Sequence, residues 1–348
     1  MVRAFSLPLL SLAAASTPPE PSPPQPPRRR TTVLRSTLGK SSPFLKPSAR
    51  FTVGPAPVAP VEVAPPPAPL VSVSELRQRI TPARRDSLPE PVISYTALGA
   101  KSFISAGSGG PTVLFESGLG HGKEVWGSIF NDISAVTHAV AYDRAGYGQS
   151  EASSQSRDGL QILRELRALL EAEEIKPPYI LVGHSLGGTI MKLFARTYPN
   201  EVAGVVLVDA RHAEFAKRCK QIGVHRLWYE PPSLLFALSP SATRAELAAA
   251  PQTMRQARRA GPFPTVPLIV LTQDQAARKW PERLGKVWEA SQRNMAKMSR
   301  LGRMKVINDS GHNIHHDQPD MVTTAILSVL AAAQYALARG KNKPLSIE

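Results

Sequence analysis

From Pro89 onward the chain alternates short apolar runs with longer amphipathic stretches. Residues 112–115, 136–142, 179–182, 205–208, 266–271 and 304–307 have the length and β-branched content of strands. Between them, residues 125–133, 160–175, 186–198 and 280–298 carry apolar positions at helical spacing. A last helical stretch, 320–339, sets Val322, Ile326, Val329, Leu330 and Ala333 at that spacing and reads as a packing helix. Strands separated by helices predict an α/β fold with a mostly parallel central sheet flanked by helices. Ligands of such sheets sit at the carboxyl ends of the strands. The pattern fails from about 224 to 267, where prolines, Trp228, Tyr229, Leu234 and Leu235 mix with basic residues. An insertion over the active edge of the sheet is expected there.

Before residue 89 the chain is different in kind. Residues 1–70 hold half of the 34 prolines, no Asp, and only Glu20 and Glu62 as acids. Such a stretch buries too little apolar surface to offset its ordering entropy. Residues 1–88 are therefore expected to be disordered, 89–340 to form the folded domain, and 341–348 to be a tail. Arg3, the apolar residues 4–15 broken by Pro8, and Ser16 follow the order of a signal sequence. Arg28, Arg29, Arg30, Arg35, Lys40, Lys46 and Arg50, set among Ser and Thr, have instead the composition of an organellar transit segment. Export and organelle import stand level, with an unprocessed cytoplasmic protein as the third expectation.

Charge adds little to this picture. The net charge is +15, but the first 74 residues hold eight basic and two acidic side chains, so a good part of the excess lies in the N-terminal segment. The remainder is spread over 211–220, 255–259 and 297–305, as on a solvated surface, and no nucleic-acid partner is expected. No transmembrane segment is expected, because no run approaches the ~20 consecutive apolar residues of a membrane span. A single cysteine, Cys219, excludes a disulfide within the chain.

Chemistry enters at "ILVGHSLGGT", residues 180–189. G-x-S-x-G is short enough to recur by chance, and a plain glycine-rich turn would give the same letters. Here the motif follows a predicted strand and opens a predicted helix, which pushes the Ser185 hydroxyl out of a sharp turn toward unpaired helix N–H groups. A serine nucleophile needs a base. His312, in "VINDSGHNIHHDQP", follows the last strand with Gly311 before it and is the best placed. His315 and His316 are rivals expected at the surface, His121 in the first loop is a further candidate, and His184 is expected to point away from the elbow in a supporting role. Donors for an oxyanion are expected from the backbone of Leu186 and from the loop "LFESGLGHG", where Leu119 is the chosen donor and Gly118 supports the turn.

Taken together, "FESGLG", "AYDRAGYGQS", "LVGHSLGG", "YPNEVAGVVLVDA" and "DSGHNIHHDQP" resemble, in this order, the α/β-hydrolase superfamily over about residues 92–338. The branch is the one grouping esterases, lipase-like enzymes, proline iminopeptidases and cofactor-free haloperoxidases. The resemblance implies the α/β-hydrolase fold, a lid insertion after the sixth strand, and catalytic residues in the order Ser, acid, His. The acid departs from the pattern. Members of the family usually carry it after the seventh strand in a turn like G-x-x-D, whereas "VPLIVLTQDQAARKW" lacks that glycine and brings Asp274 too early. Asp209, in "VVLVDARH", stands where some lipases of this fold place the acid. Asp209 comes first and Asp274 second, and only one is expected to serve. Asp143 in "YDRAGYG" is expected to organise its own loop.

Epoxide hydrolases and haloalkane dehalogenases of the fold attack through an aspartate, and this chain has Ser185 there. The expectation is thus a serine hydrolase of the carboxylesterase or lipase-like kind, cleaving a carboxylic ester, thioester or amide of a small acyl substrate through an acyl-enzyme. The alternative is a ligand-binding or receptor-like protein on the same fold with little turnover. No cofactor and no metal are expected, since no metal-ligand spacing is visible and "GSGGP" at 107–111 precedes a strand instead of opening a helix.

Overall fold

The computed structural model describes residues 71–80, 87–225, 236–274 and 280–341. Its strands are β1 (Val92–Thr96), β2 (Gly99–Ala106), β3 (Thr112–Glu116), β4 (Ala139–Tyr142), β5 (Tyr179–His184), β6 (Val202–Val208), β7 (Leu268–Gln273) and β8 (Gly302–Ile307). They form one eight-stranded sheet in the order β1-β2-β4-β3-β5-β6-β7-β8. β2 runs antiparallel to β1 and β4, and the remaining pairs are parallel. The helices are α1 (Val73–Gln78), α2 (Gly127–Ser134), α3 (Gly159–Ala172), α4 (Leu186–Thr197), α5 (Phe215–Gln221), α6 (Ser241–Arg259), α7 (Glu282–Ala296), α8 (Ile314–Asp317) and α9 (Pro319–Lys341).

The two faces of the sheet explain why its central strands read as unbroken apolar runs. Along β5, Leu181 packs into one core with Leu163, Leu166, Ile190 and Phe194 of α3 and α4. Ile180 and Val182 pack into the other, with Phe130 of α2 and Ile326 and Leu330 of α9. Strands buried on both faces have no polar side to alternate with. The edges are different: β1 and β8 mix buried or half-buried with exposed positions.

Three departures from the sequence reading follow. The β1–β2 hairpin carries Ser94, Thr96, Lys101, Ser102 and Ser105, so its strands lack the apolar run that marks the others. Within the stretch expected to be disordered, α1 is ordered by a capping box between Ser72 and Glu75 and by Leu76, which is 1% exposed in the core shared with α9. The disorder and targeting expectations for residues 1–70 lie outside the described residues. Where irregular insertion was expected, α6 is a regular helix on α3 and α4. Its buried residues are Ala242, Thr243, Glu246, Thr253 and Ala257, small or polar side chains that leave no apolar stripe to recognise. Residues 226–235, inside the expected lid, lie outside the described residues.

Among the described residues, α9 is the one helix with the length and composition to cross a membrane. Val322, Ile326, Leu327, Val329 and Leu330 are nevertheless buried in the core with α2 and β6, as in a packing helix.

Candidate active site

β5 ends at His184, and the chain enters α4 through Ser185 at φ 52° and ψ −114°. A non-glycine residue in that region is strained and needs over-determined surroundings to persist. Here they are tight. A Cβ on Gly183 would stand 2.7 Å from the carbonyl oxygen of Gly187, and one on Gly187 would stand 2.3 Å from that of Glu116. The two motif glycines are thus fixed by close approach of backbone to backbone. Ser185 itself is tied into the sheet, its N–H donating to Val208 at 3.1 Å.

His312 lies in the loop between β8 and α8. The Ser185 hydroxyl donates to His312 Nε2 at 3.0 Å, and His312 Nδ1–H donates to Asp209 Oδ2 at 2.6 Å. Asp209 follows the last residue of β6, with φ at 41°, and is fully buried. Its carboxylate also accepts from Thr272 Oγ1 at 3.0 Å, Gln273 Nε2 at 2.9 Å and the Trp288 indole at 3.0 Å. A buried charge needs such donors. The carboxylate holds the proton on Nδ1 and leaves the Nε2 lone pair facing the serine. Asp274 takes another place: its N–H continues the β7–β8 ladder by donating to Ile307 at 3.2 Å, and the carboxylate paired with His312 is that of Asp209. Thr272, Gln273 and Trp288 are supports that the sequence reading missed. Thr272 and Gln273 come directly after a predicted strand and Trp288 sits in a predicted helix, so nothing local marks them.

The second loop expected near the serine is also there. A Cβ on Gly118 would lie 3.5 Å from Ser185 Cβ, so the 117–120 loop passes directly beside the elbow. Arg144, from the "YDRAGYG" stretch, is what orients this loop. Its guanidinium donates to the carbonyls of Ser117 at 2.7 Å and Gly118 at 2.8 Å, to Glu116 at 2.6 Å, and to both oxygens of Glu246 at 2.7 and 2.9 Å. In a trans peptide the carbonyl and the following N–H point to opposite sides, so pinning the Gly118 carbonyl turns the Leu119 N–H away from Arg144. At the elbow, Leu186 N–H sits at the first position of α4 and has no acceptor within its helix. Burial works against the Arg144 charge, but Glu246 and then Glu116 outweigh it and hold its pKa above the usual value. Asp143 beside it accepts from the Lys123 backbone at 2.8 Å and so organises the loop before α2.

Among the remaining histidines, His315 is placed differently from the sequence expectation. His184 is buried behind the elbow, where its Nε2–H donates to the His312 carbonyl at 3.0 Å. His316 is exposed, but His315, also expected at the surface, is 5% exposed and packs on Trp126 and His184. In the short helix α8, Ile314 and His315 face the core and His316 and Asp317 face solvent. One ring nitrogen each from His121, His184 and His315 lies within 4.8 Å of the other two. No sequence spacing announces this group, because its members come from three distant segments.

An eight-stranded α/β sheet with a strained serine at its β5–α4 turn and a histidine and carboxylate from later strand ends defines an α/β-hydrolase-fold protein. The model of the alpha/beta hydrolase family matches residues 113–325, and the chain belongs to that family of hydrolases. It is similar to the uncharacterized protein YqjL of Bacillus subtilis (strain 168), 30% identical over 231 residues that make up 65% of this chain and 86% of that one. The putative carbamate hydrolase RutD of Azorhizobium caulinodans is 28% identical over 136 residues, 38% of this chain and 51% of that one. The chain thus spans about half of RutD. Among solved structures, a thermophilic esterase from Thermogutta terrifontis with malate bound shares 22% identity at a TM-score of 0.52, over 70% of this chain and 99% of that one. A loop variant of the haloalkane dehalogenase DbeA from Bradyrhizobium elkanii shares 17% at 0.54, over 72% and 99%. At such identities the likeness shows the fold.

Proposed function

We propose that this hydrolase is a serine esterase, cleaving a carboxylic ester, or a thioester or amide, through an acyl-enzyme on Ser185. The observation that carries the reading is His312, within hydrogen-bond reach of Ser185 Oγ on one side and of the buried Asp209 carboxylate on the other. In this scheme His312 Nε2 accepts the hydroxyl proton as Oγ bonds to the acyl carbon. The carbonyl electron pair moves onto oxygen, where the N–H groups of Leu119 and Leu186 receive it. Collapse of the tetrahedral intermediate expels the alkoxide, thiolate or amine, which takes the proton from His312. Water, deprotonated by the same imidazole, then releases the acid. Asp209 keeps the imidazole in its productive tautomer throughout.

A serine at the elbow favours acyl transfer over the chemistry named for the dehalogenase relative, and is compatible with the ester and carbamate cleavage named for the others. In this reading α6, within the expected insertion at 224–267, is part of what covers the site. The second reading, a ligand-binding protein with little turnover, would use the same residues without hydrolysis.

The test is labelling and turnover in parallel. A fluorophosphonate probe is expected to modify Ser185 in the folded protein, and p-nitrophenyl esters are expected to turn over at least ~10³-fold faster with wild type than with Ser185→Ala. Labelling without turnover across a panel of acyl lengths would support the binding-protein reading. Neither labelling nor turnover would end the esterase proposal.

A further inference from the structure

Behind the elbow, on the side of β5 facing α8, His121, His184 and His315 converge. In each of the three the Nδ1 nitrogen is buried and has no hydrogen-bond partner among the described residues. Three orphaned ring nitrogens in one place are unusual, because buried polar atoms in folded proteins are nearly always satisfied.

We propose that these three imidazoles form a binding site for a late first-row divalent cation, Zn²⁺ above all. Neutral imidazole is the ligand such ions prefer, and three of them with an open fourth position for water make a known tetrahedral set.

The surroundings favour this occupant in three ways. Burial keeps all three rings neutral, the form that ligates: His184 is held well below the ordinary imidazole value, His315 at about 4, and His121 is lowered as well. His184 is oriented as metal-binding histidines usually are, its Nε2–H donating to a backbone carbonyl, that of His312 at 3.0 Å, so that Nδ1 carries the lone pair. Space is left in front of that nitrogen by Gly118, where a Cβ would stand 2.7 Å from His184 Nδ1. One ring nitrogen from each of the three histidines lies within 4.8 Å of those of the other two. Zinc at ~2.0–2.1 Å from each would require the rings to move inward by less than about 1 Å.

The consequence is mechanical. His121 belongs to the loop beside Ser185, His184 to the strand that presents it, and His315 to the segment after His312. A cation here ties together the three pieces of chain that hold the nucleophile, the base and the Leu119 amide. The site stands on its own geometry, so it is independent of the esterase reading.

The experiment uses the full-length chain freed of metal with EDTA and titrated with Zn²⁺ in competition with a chromophoric chelator. Wild type is expected to bind one equivalent and to rise in Tm. His121→Ala and His315→Ala are expected to weaken binding at least tenfold, and His316→Ala, at an exposed position, to leave it unchanged. Circular dichroism of metal-free variants shows whether each folds. If His315→Ala does not, anomalous scattering from a wild-type crystal grown with Zn²⁺ decides, an anomalous peak among the three rings supporting the site. The proposal is overturned by no binding in wild type, by equal binding in folded His121→Ala, or by a crystal with a water molecule among the three nitrogens at saturating Zn²⁺.

Discussion

At Asp209 two demands meet: its carboxylate must stay charged in a fully buried place, and it must hold the His312 ring in one orientation. Thr272 and Trp288 answer the first by donating to Oδ1 and Gln273 by donating to Oδ2, and Oδ2 also answers the second by accepting from His312 at 2.6 Å. Asp209→Asn keeps the shape and removes the charge that fixes the tautomer. It is expected to lower kcat toward p-nitrophenyl esters by on the order of 10⁴ while KM changes little. Asp274→Asn, at the end of the β7–β8 ladder, is expected to change kcat less than about threefold, which is outside what removal of a transition-state contact does. Steady-state kinetics on the two variants check both, and the reverse ranking would move the acid to Asp274.

Among the helices, α6 has the largest consequence for its size. It has no apolar stripe, and part of what anchors it to the body is Glu246, which accepts from Arg144 at 2.7 and 2.9 Å and from the Tyr147 hydroxyl at 2.9 Å. Arg144 is 2% exposed, and Glu116 and the carbonyls of Ser117 and Gly118 are its other acceptors. Glu246→Ala would leave a buried guanidinium short of one counter-charge, a change that typically costs about 3–5 kcal/mol. Urea unfolding is expected to show a loss of that order. Because the same guanidinium holds the Gly118 carbonyl, turnover is expected to fall by more than the population of folded protein does. A loss below about 1 kcal/mol would mean that α6 is held by its backbone packing alone.

Across the whole molecule, burial lowers the affinity of many histidines for protons. His184 is held well below the usual imidazole range, His315 at about 4 and His212 at about 3, while His121 and His138 are lowered as well. The unfolded chain therefore binds more protons than the native one from about pH 6.5 downward. The stability associated with these groups is full above pH 6.5 and is lost as the pH falls toward the native values. Glu116, raised by burial, acts in the opposite sense, but it is one group against five. The urea midpoint is expected to fall measurably between pH 7 and 5.5, above the range in which ordinary carboxylates titrate. A flat midpoint over that interval would contradict the burial of these rings.

The sequence alone determined what depends on neighbours along the chain. The apolar runs of β3 to β8, the glycines around Ser185 and the placement of His312 after the last strand are local facts, and family resemblance joined them in the right order. What depends on contacts between distant segments was decided by the tertiary structure. Asp209 meets His312 because β6, β7 and β8 are neighbours in the sheet, which left Asp209 and Asp274 open until the pairing was known. The buried face of α6 is made of small and polar side chains, Glu246 meeting Arg144 and Ala257 joining the core with α3 and α4, so periodicity passed over it. His315 is buried because α8 turns it toward Trp126 and His184, and no pattern in "GHNIHHDQP" separates it from His316. Periodicity reports which side of an element is apolar; it is silent on which distant polar group that element has been folded to meet.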